Sequence, residues 1–372
     1  MPDLRRLHGA GSVAAAVLLC LLLPPAGILI KGKSIAPYCR FPPLTRYVVH
    51  AGFSWPVWTA GAIGLLCLAV VMMPRGRVGL RHIPRQAAAF AFPWWGYGGL
   101  MLILVSWILA WNRFSWFTAL QAYTFTPLWM GYILVINGLI RRRRGRSLLS
   151  ARPLRFFLLF PLSAMFWWYF EYLNRFVQNW YYVGIDDFSA VGYVVHATIC
   201  FSTVLPAVLS TQRLLVELLD VPLLPCPGTG EGAAMPGFGG RITGVLLLLL
   251  SGVGLAFIGI WPDYLFALLW ISPLLIITGL QLVRGQENLL ATLVLRGDWR
   301  EKLVPPLAAA LVCGFFWEMW NWKSLAQWHY SIPHVDRFHL FAMPILGYAG
   351  YLPFGLECYV IGTLIYPDLE TA

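Results

Sequence analysis

Charged side chains are scarce in this sequence: Asp, Glu, Lys and Arg together make up 12% of its 372 residues, against roughly 25% in a soluble domain. Hydrophobic residues make up 59%, and the mean hydropathy is +0.68. This composition excludes an ordinary soluble protein and indicates an integral membrane protein. The length suits about ten spans of ~20 residues each.

Signatures of cofactor chemistry are missing as well. None of the seven cysteines belongs to a C-x-x-C pair, which argues against a disulfide framework, an iron–sulfur site or covalently attached haem. The sequence has no nucleotide-binding motif and no defined nucleophile, so we expect no cofactor. Basic cytoplasmic loops account for the net charge of +11. We therefore expect the lipid bilayer as a partner and no nucleic acid, and the sequence leaves the oligomeric state open.

Long apolar runs predict an all-α, polytopic transmembrane bundle. The first run follows Arg5 and Arg6 but precedes no small-x-small cleavage site, so we interpret it as an uncleaved signal anchor. The ten predicted spans lie at 11–30, 53–73, 88–111, 117–140, 155–174, 188–210, 242–261, 264–283, 303–322 and 341–366.

Lysine and arginine are distributed unequally between alternate sides of this topology. With the N terminus inside, 19 of the 27 fall in cytoplasmic segments and 8 in outer segments. Because basic residues concentrate in cytoplasmic loops, we predict that both termini are cytoplasmic and that the protein lies in a bacterial cytoplasmic (inner) membrane. An odd number of spans is the alternative.

Two parts of the chain match each other in order, which predicts a duplication. One match, with one insertion, is between FEYLNRFVQNWYY and WEMWNWKSLAQWHY. Equivalent spans lie four apart and therefore share an orientation, so the repeat is predicted to be parallel, about an axis along the membrane normal. The predicted units are a two-span extension at 1–86, a first repeat at 87–220, a Gly/Pro-rich cytoplasmic linker at 221–241 and a second repeat at 242–372. The ungapped matches pair Tyr123, Phe125, Leu128, Trp129, Gly138 and Leu139 with Tyr264, Phe266, Leu269, Trp270, Gly279 and Leu280.

Each repeat carries an E-x-x-N motif near the end of an apolar run: Glu171 with Asn174, and Glu318 with Asn321. Residues at i and i+3 share one helix face, so each pair can point at one ligand. Interhelical polar contacts that hold the bundle together are the structural alternative. The aromatic residues that follow, Trp180, Tyr182, Trp328 and Tyr330, fit either an interfacial belt or a binding site.

A third carboxylate, Glu357, lies within the last predicted span. The preceding MPILGYAGYLPFG disfavours a regular helix, so we expect 341–352 to be non-helical. Glu318, Asn321 and Glu357 are then predicted to line one cavity open toward the outer leaflet. The corresponding first-repeat segment offers His196 and Ser202 but no carboxylate.

The loop between the last two spans contains three histidines and an aspartate. His329, His334, Asp336 and His339 are plausible ligands for zinc or iron. Their spacing matches no strong metal motif, so we predict no metal site.

The order of these features resembles the integral-membrane lycopene cyclases of the heterodimeric or fused type, over roughly 123–365. Those proteins duplicate small helical units, each with an acidic residue at a helix end, an aromatic W-x-Y loop and a Pro-x-Glu-Glu type motif in the next helix. Here Glu318, the segment Trp328-His329-Tyr330 and PFGLE at 353–357 correspond. The second carboxylate of the last motif is absent, and the first repeat lacks that motif. The resemblance implies an apolar isoprenoid or lipid as ligand.

Two functions fit these features. In an enzyme acting on a lipid or isoprenoid, Glu318 and Glu357 would be general acid and base, with Asn321 beside them. A transporter or ligand-binding subunit would use the same intramembrane carboxylates without catalysis, and a purely structural subunit is a third, less specific reading. In either of the first two, an apolar or amphiphilic small molecule is the expected ligand, and the predicted binding residues are Trp317, Trp328, Tyr330, Glu171, Asn174 and His196.

Overall fold

The computed structural model describes residues 2–43, 46–72, 90–219, 238–285 and 299–366, and these are predominantly helical. The helices are α1 Pro2–Ile30, α2 Trp55–Met72, α3 Trp94–Trp111, α4 Phe125–Arg144, α5 Leu148–Ala151, α6 Pro153–Val177, α7 Ala190–Ser202, α8 Val204–Leu219, α9 Phe238–Phe257, α10 Pro262–Leu265, α11 Leu268–Val283, α12 Trp299–Asn321 and α13 Tyr351–Thr363. Two 3₁₀ helices, Ser115–Tyr123 and Ile345–Gly350, precede α4 and α13. Four short strands are β1 Trp180–Val183, β2 Gln327–Tyr330, β3 His339–Leu340 and β4 Met343–Pro344.

Six described helices are long and apolar enough to cross a bilayer, as expected for a multi-pass membrane protein. They are Trp55–Met72, Trp94–Trp111, Pro153–Val177, Ala190–Leu219, Gly239–Phe257 and Leu303–Asn321. The first 3₁₀ helix and α4 pass the same test together, bent by 67°. Many large apolar side chains on these helices are exposed, which suits a lipid environment.

The predicted spans 11–30, 264–283 and 341–366 correspond to shorter apolar helices: Ala14–Ile30, Leu268–Val283 and α13. The total of ten therefore stays a prediction. The predicted linker at 221–241 and the cytoplasmic loops at 74–87 and 284–302 lie largely outside the described residues.

The sixth predicted span differs from the structure at its end. Instead of stopping at 210, the helix continues to Leu219 as α8. Arg213 and Glu217 form an ion pair one turn apart, at 2.7 Å, and Arg144 at the end of α4 pairs with the same carboxylate. Ion pairing lowers the free-energy cost of placing these charges on a largely buried helix. The charged residues after position 210 therefore belong to the helix and not to a loop.

Glycines allow two pairs of helices to pack at close range. A Cβ atom on Gly131 of α4 would lie 2.8 Å from the carbonyl oxygen of Gly99 in α3. A Cβ on Gly279 of α11 would lie 3.0 Å from the carbonyl oxygen of Gly244 in α9. Small residues allow membrane helices to approach this closely. These two closely packed pairs, α3–α4 and α9–α11, lie beside the two E-x-x-N helices, α6 and α12.

The aromatic segments after α6 and α12 are paired strands, which the sequence analysis treated as loops. β1 and β2 run antiparallel, with Trp180 opposite Tyr330 and Tyr182 opposite Trp328. Aromatic residues and valine favour strands, and they make up β1 (Trp-Tyr-Tyr-Val) and half of β2 (Gln-Trp-His-Tyr). Four-residue strands are nevertheless too short to stand out in the sequence.

The non-helical stretch predicted at 341–352 is present only in part. Residues 339–344 form the β3–β4 hairpin and Ile345–Gly350 a 3₁₀ helix, so the α-helix begins only at Tyr351. Pro353 lies in its first turn, where a missing N–H costs little.

Candidate functional site

Glu318 is fully buried on α12 and accepts three hydrogen bonds from aromatic side chains. The hydroxyls of Tyr330 and Tyr351 donate to its Oε1 at 2.7 and 2.9 Å, and the indole Nε1 of Trp328 donates at 3.4 Å. The same indole also donates to the Tyr330 hydroxyl at 2.8 Å. Among the described residues, Oε2 of Glu318 has no hydrogen-bond partner. The carboxyl group is thus held on one side only.

Asn321 fixes the strand that supplies two of these donors. Its Nδ2 donates to the Trp328 carbonyl at 2.8 Å, and its Oδ1 accepts the Trp328 N–H at 2.9 Å. The side chain therefore clamps both backbone groups of one residue. The i, i+3 spacing places this clamp one turn beyond Glu318, so the motif positions the aromatic strand against the carboxyl group.

Glu171 on α6 has a closely matching arrangement. Its Oε1 accepts hydrogen bonds from the indoles of Trp167 and Trp180 at 3.2 and 3.1 Å and from the Tyr182 hydroxyl at 2.5 Å. Asn174 donates to the Trp180 carbonyl at 2.8 Å, and its Oδ1 accepts the N–H of Asn179 at 2.8 Å. Oε2 of Glu171 again lacks a partner in the described part of the chain.

Reciprocal aromatic contacts join the two glutamate clusters. Trp129 of α4 packs on Trp317, the residue before Glu318, with ring centroids 4.9 Å apart. Trp270 of α11 packs on Phe170, the residue before Glu171, at 5.3 Å. Each E-x-x-N helix therefore rests on an aromatic residue from the other half of the chain.

A cavity of about 630 Å³ lies between the two clusters. The aromatic donors to both carboxylates line it, including Trp167, Tyr182, Trp328, Tyr330 and Tyr351. One face of α2 closes another side, with Val57, Gly61, Gly64, Leu65 and Leu68. A large, mainly apolar cavity with a few convergent polar groups is the usual form of a small-molecule site.

Five of the predicted site residues line this cavity. They are Trp317, Asn321, Trp328, Tyr330 and His196. Glu171, Asn174 and Glu318 are buried behind the aromatic wall and connect to the cavity through their hydrogen-bond donors. His196 stacks on Phe188 at a centroid distance of 5.0 Å, with Tyr123 edge-on at 4.9 Å.

Glu357 is placed apart from Glu318. Its Oε1 accepts the backbone N–H of Leu274 in α11 at 3.2 Å, whereas the partners of Glu318 are the tyrosines and Trp328 named above. The described residues show no hydrogen bond or ion pair between the two carboxylates. Of the three residues predicted to line one cavity, Asn321 lines the cavity described above, whereas Glu318 and Glu357 are not among its lining residues.

The histidines of the second loop do not converge. His329 contacts Gln327 at 2.9 Å and burial lowers its pKa, while His339 contacts Asp336 at 2.8 Å. His334 packs near Tyr264, with ring centroids 5.8 Å apart. Within the described ranges, no three His, Cys, Asp or Glu side chains gather as a metal site.

Several cavity residues escaped the sequence analysis. Tyr351, the third donor to Glu318, comes from the start of α13 and gave no signal in the sequence. Trp167 lies one turn before Glu171, a spacing that signals contact on a helix. The glycines of α2 gave no signal, because only the fold brings the N-terminal extension to the cavity.

Comparison with known protein families, with curated protein sequences and with solved structures finds no match for this chain. Its site is therefore interpreted from its own geometry.

Proposed function

We propose that this multi-pass membrane protein binds an apolar lipid or isoprenoid in the aromatic cavity and acts on it by proton transfer through Glu318. The observation that carries the proposal is the position of the cavity between two buried carboxyl groups, each reached through aromatic donors that line it. Few polar groups face the ligand, so an apolar chain fits better than a sugar, nucleotide or peptide.

Proton transfer would pass through a phenol. A protonated Glu318 donates its proton to the phenol oxygen of Tyr330 or Tyr351, reversing the hydrogen bond between them, and that phenol transfers its own hydrogen to a carbon–carbon double bond in the cavity. The resulting carbocation rearranges or cyclises, and loss of a proton from a neighbouring carbon returns it to Glu318. The substrate is isomerised without net oxidation or reduction, so the step needs no further reactant.

The aromatic wall suits a cationic intermediate. Trp180, Trp270 and Trp317 all face the cavity, and the faces of such rings attract positive charge by up to about 2 kcal/mol when desolvated. Water is a competing nucleophile for a carbocation, and an apolar wall keeps it away. The resemblance to integral-membrane lycopene cyclases agrees with this chemistry.

The two halves are proposed to be a parallel repeat, with α3, α4, α6 and α7 equivalent to α9, α11, α12 and α13. Two observations support this: the matching hydrogen bonds of Glu171 and Glu318, and the reciprocal packing of Trp129 and Trp270. In β1 and β2 each tryptophan lies opposite the tyrosine of the other strand, which is the pairing that a local two-fold axis would give. We also propose ten spans, both termini in the cytoplasm and a location in the bacterial cytoplasmic membrane.

Ligand binding without catalysis is the second candidate. It is favoured by the burial of Glu318 and Glu171 behind the side chains that contact the cavity. In that case the carboxyl groups only orient aromatic rings around a transported or stored lipid.

Deuterium incorporation separates these functions. The full-length protein in nanodiscs is incubated in D₂O with lycopene, an acyclic polyene, and the extracted pigment is analysed by mass spectrometry. Reversible protonation of a double bond places deuterium in the pigment, whereas binding alone leaves its mass unchanged. We expect incorporation by the wild type and at least a hundredfold slower incorporation by Glu318→Gln, about the lower limit for loss of a general acid.

Binding is measured independently with squalane, a saturated isoprenoid that cannot be protonated at a double bond. Glu318→Gln is expected to bind squalane as the wild type does, because the amide oxygen can still accept the hydrogen bonds from Tyr330 and Tyr351. Binding of squalane without deuteration of lycopene by the wild type would favour the second candidate. Failure to bind either compound would contradict both.

A further inference from the structure

Glu357 belongs to a second buried polar cluster, outside the aromatic cavity. The other members come from three more helices: Cys20 of α1, Tyr169 of α6 and Ser272 of α11. Glu357 is 2% exposed and Ser272 is fully buried. Electrostatic interactions connect Tyr169 with Cys20, Ser272 and Glu357. These four helices therefore bring polar groups to one point within an apolar bundle.

Three polar atoms at this point have no hydrogen-bond partner among the described residues. They are Oε2 of Glu357, Oγ of Ser272 and the hydroxyl of Tyr169, and all are buried. The Tyr169 hydroxyl interacts weakly with Ser272 and Cys20, but neither contact has the geometry of a full hydrogen bond. A buried polar group without a hydrogen-bond partner destabilises the folded state. Three of them converging from three helices point to a bound species that would satisfy them together.

A proline in α11 removes one backbone hydrogen bond beside this cluster. Pro273 has no N–H, so the carbonyl of Leu269 loses its helical donor. The next N–H, of Leu274, donates to Oε1 of Glu357 at 3.2 Å. Within the continuous helix α11, the proline thus leaves a backbone carbonyl oxygen without its usual donor one turn from Ser272.

Charge restricts what can bind. Among the described residues, the titratable groups that interact with Glu357 are Tyr169, Cys20 and Cys358, and these three are not cationic. Cys313 of α12 interacts with Cys358. Helix α8 also packs on α13, and its Arg213 and Glu217 pair with each other. An isolated carboxylate in such a site is strongly disfavoured. Glu357 must therefore carry a proton or face a bound cation.

We propose that Glu357, Ser272 and Tyr169 form a buried site for a monovalent cation, which Na⁺ occupies when Glu357 is ionised. One carboxylate balances one positive charge, and hydroxyl, phenol and carbonyl oxygens are the ligands that hard cations prefer. At low pH a proton on Glu357 replaces the ion. Intramembrane carboxylates commonly mark ion paths, and interrupted helices supply carbonyl ligands to Na⁺ in transporters.

Thermal unfolding of the full chain in nanodiscs tests this, with tryptophan fluorescence as the signal. NaCl is compared with choline chloride at equal ionic strength, at pH 8 and at pH 5. A ligand that binds only the folded state raises the melting temperature with its concentration. We expect a saturable rise with Na⁺ at pH 8, a smaller one at pH 5 and none with choline. Equal melting temperatures in NaCl and choline chloride at pH 8 would overturn the proposal.

Variants locate the effect. Glu357→Gln is expected to abolish the Na⁺-dependent rise at both pH values, and Glu318→Gln, in the other cluster, to retain it. Ser272→Ala keeps the carboxylate and provides a second test if Glu357→Gln does not fold. It is expected to raise the half-saturating Na⁺ concentration by about tenfold, the scale of losing one partner at an ion site. A rise that persists unchanged in both Glu357→Gln and Ser272→Ala would place the ion elsewhere and refute the assignment.

Discussion

Tyr182 and Trp328 lie opposite each other in the two-stranded sheet, and each donates a hydrogen bond to the glutamate of its own half. Tyr182 donates to Glu171 at 2.5 Å and Trp328 donates to Glu318 at 3.4 Å. One ladder of backbone hydrogen bonds therefore aligns both sets of donors. A change in the register of β1 against β2 would displace the donors of both carboxyl groups at once.

The two phenols of the Glu318 cluster are expected to differ in importance. Tyr330→Phe removes the hydroxyl that donates to Glu318 and also accepts from the Trp328 indole. Tyr351→Phe removes only one hydrogen bond to Glu318. If either phenol can pass the proton, the single variants should slow deuterium incorporation by roughly tenfold each, with Tyr330→Phe the slower, and the double variant by at least about a hundredfold. Squalane binding should stay within twofold of wild type. Full activity in the double variant would rule out the phenol relay.

Asn321 is expected to be a stability determinant as well as a cavity residue. Asn321→Ala removes both hydrogen bonds to the Trp328 backbone and should lower the free energy of unfolding by roughly 2–3 kcal/mol. SDS titration followed by tryptophan fluorescence measures this loss. Asn112→Ala is the matched control, because its exposed side chain makes one bond to the Ile108 carbonyl. That variant should stay within about 0.5 kcal/mol of wild type, and equal effects of the two substitutions would contradict the clamp.

Helix positions and the E-x-x-N motifs were predictable because each depends on a local pattern. Apolar runs defined most of the helices, and Glu171, Asn174, Glu318 and Asn321 stood out as polar residues within such runs. The absence of an α-helix from 339 to 350 followed from the proline and glycine content of this stretch. These features need no knowledge of which helices are neighbours.

The partners of the carboxyl groups depend on neighbours and were only partly predictable. Glu318, Asn321 and Glu357 were expected to line one cavity, because a non-helical segment before Glu357 would let it reach the depth of Glu318. The fold instead surrounds Glu318 with phenols and turns Glu357 toward α11. The position of α2 at the cavity is likewise a tertiary feature: Gly64 lines it from the N-terminal extension, which the repeat pattern does not include.

Filling the cavity from α2 should block binding without unfolding the protein. A Cβ at Gly64 would meet no atom within 4 Å, so Gly64→Phe places its ring in the cavity. Squalane affinity should fall by about tenfold or more, since overfilling a packed site costs ~1–3 kcal/mol. Ile63→Phe is the control, because this neighbour is 61% exposed and is absent from the cavity wall. Equal affinities of the two variants would mean that the ligand does not occupy this part of the cavity.

The proposed topology places Cys39 and Arg142 on opposite sides of the membrane. Cys39 is an exposed free cysteine in the outer segment that follows α1, and Arg142 is exposed at the arginine-rich end of α4. A membrane-impermeant maleimide applied to intact cells should label Cys39 in the wild type. In an Arg142→Cys variant that also carries Cys39→Ser, labelling should require permeabilised cells.

The expectation follows from the excess of basic residues at 141–155, where seven arginines would resist translocation. Cys67 on α2 is also an exposed free cysteine, so Cys39→Ser alone gives the background. If the Arg142→Cys variant is labelled above that background in intact cells, the end of α4 lies outside. The proposed orientation of α4 and the cytoplasmic position of both termini would then be wrong.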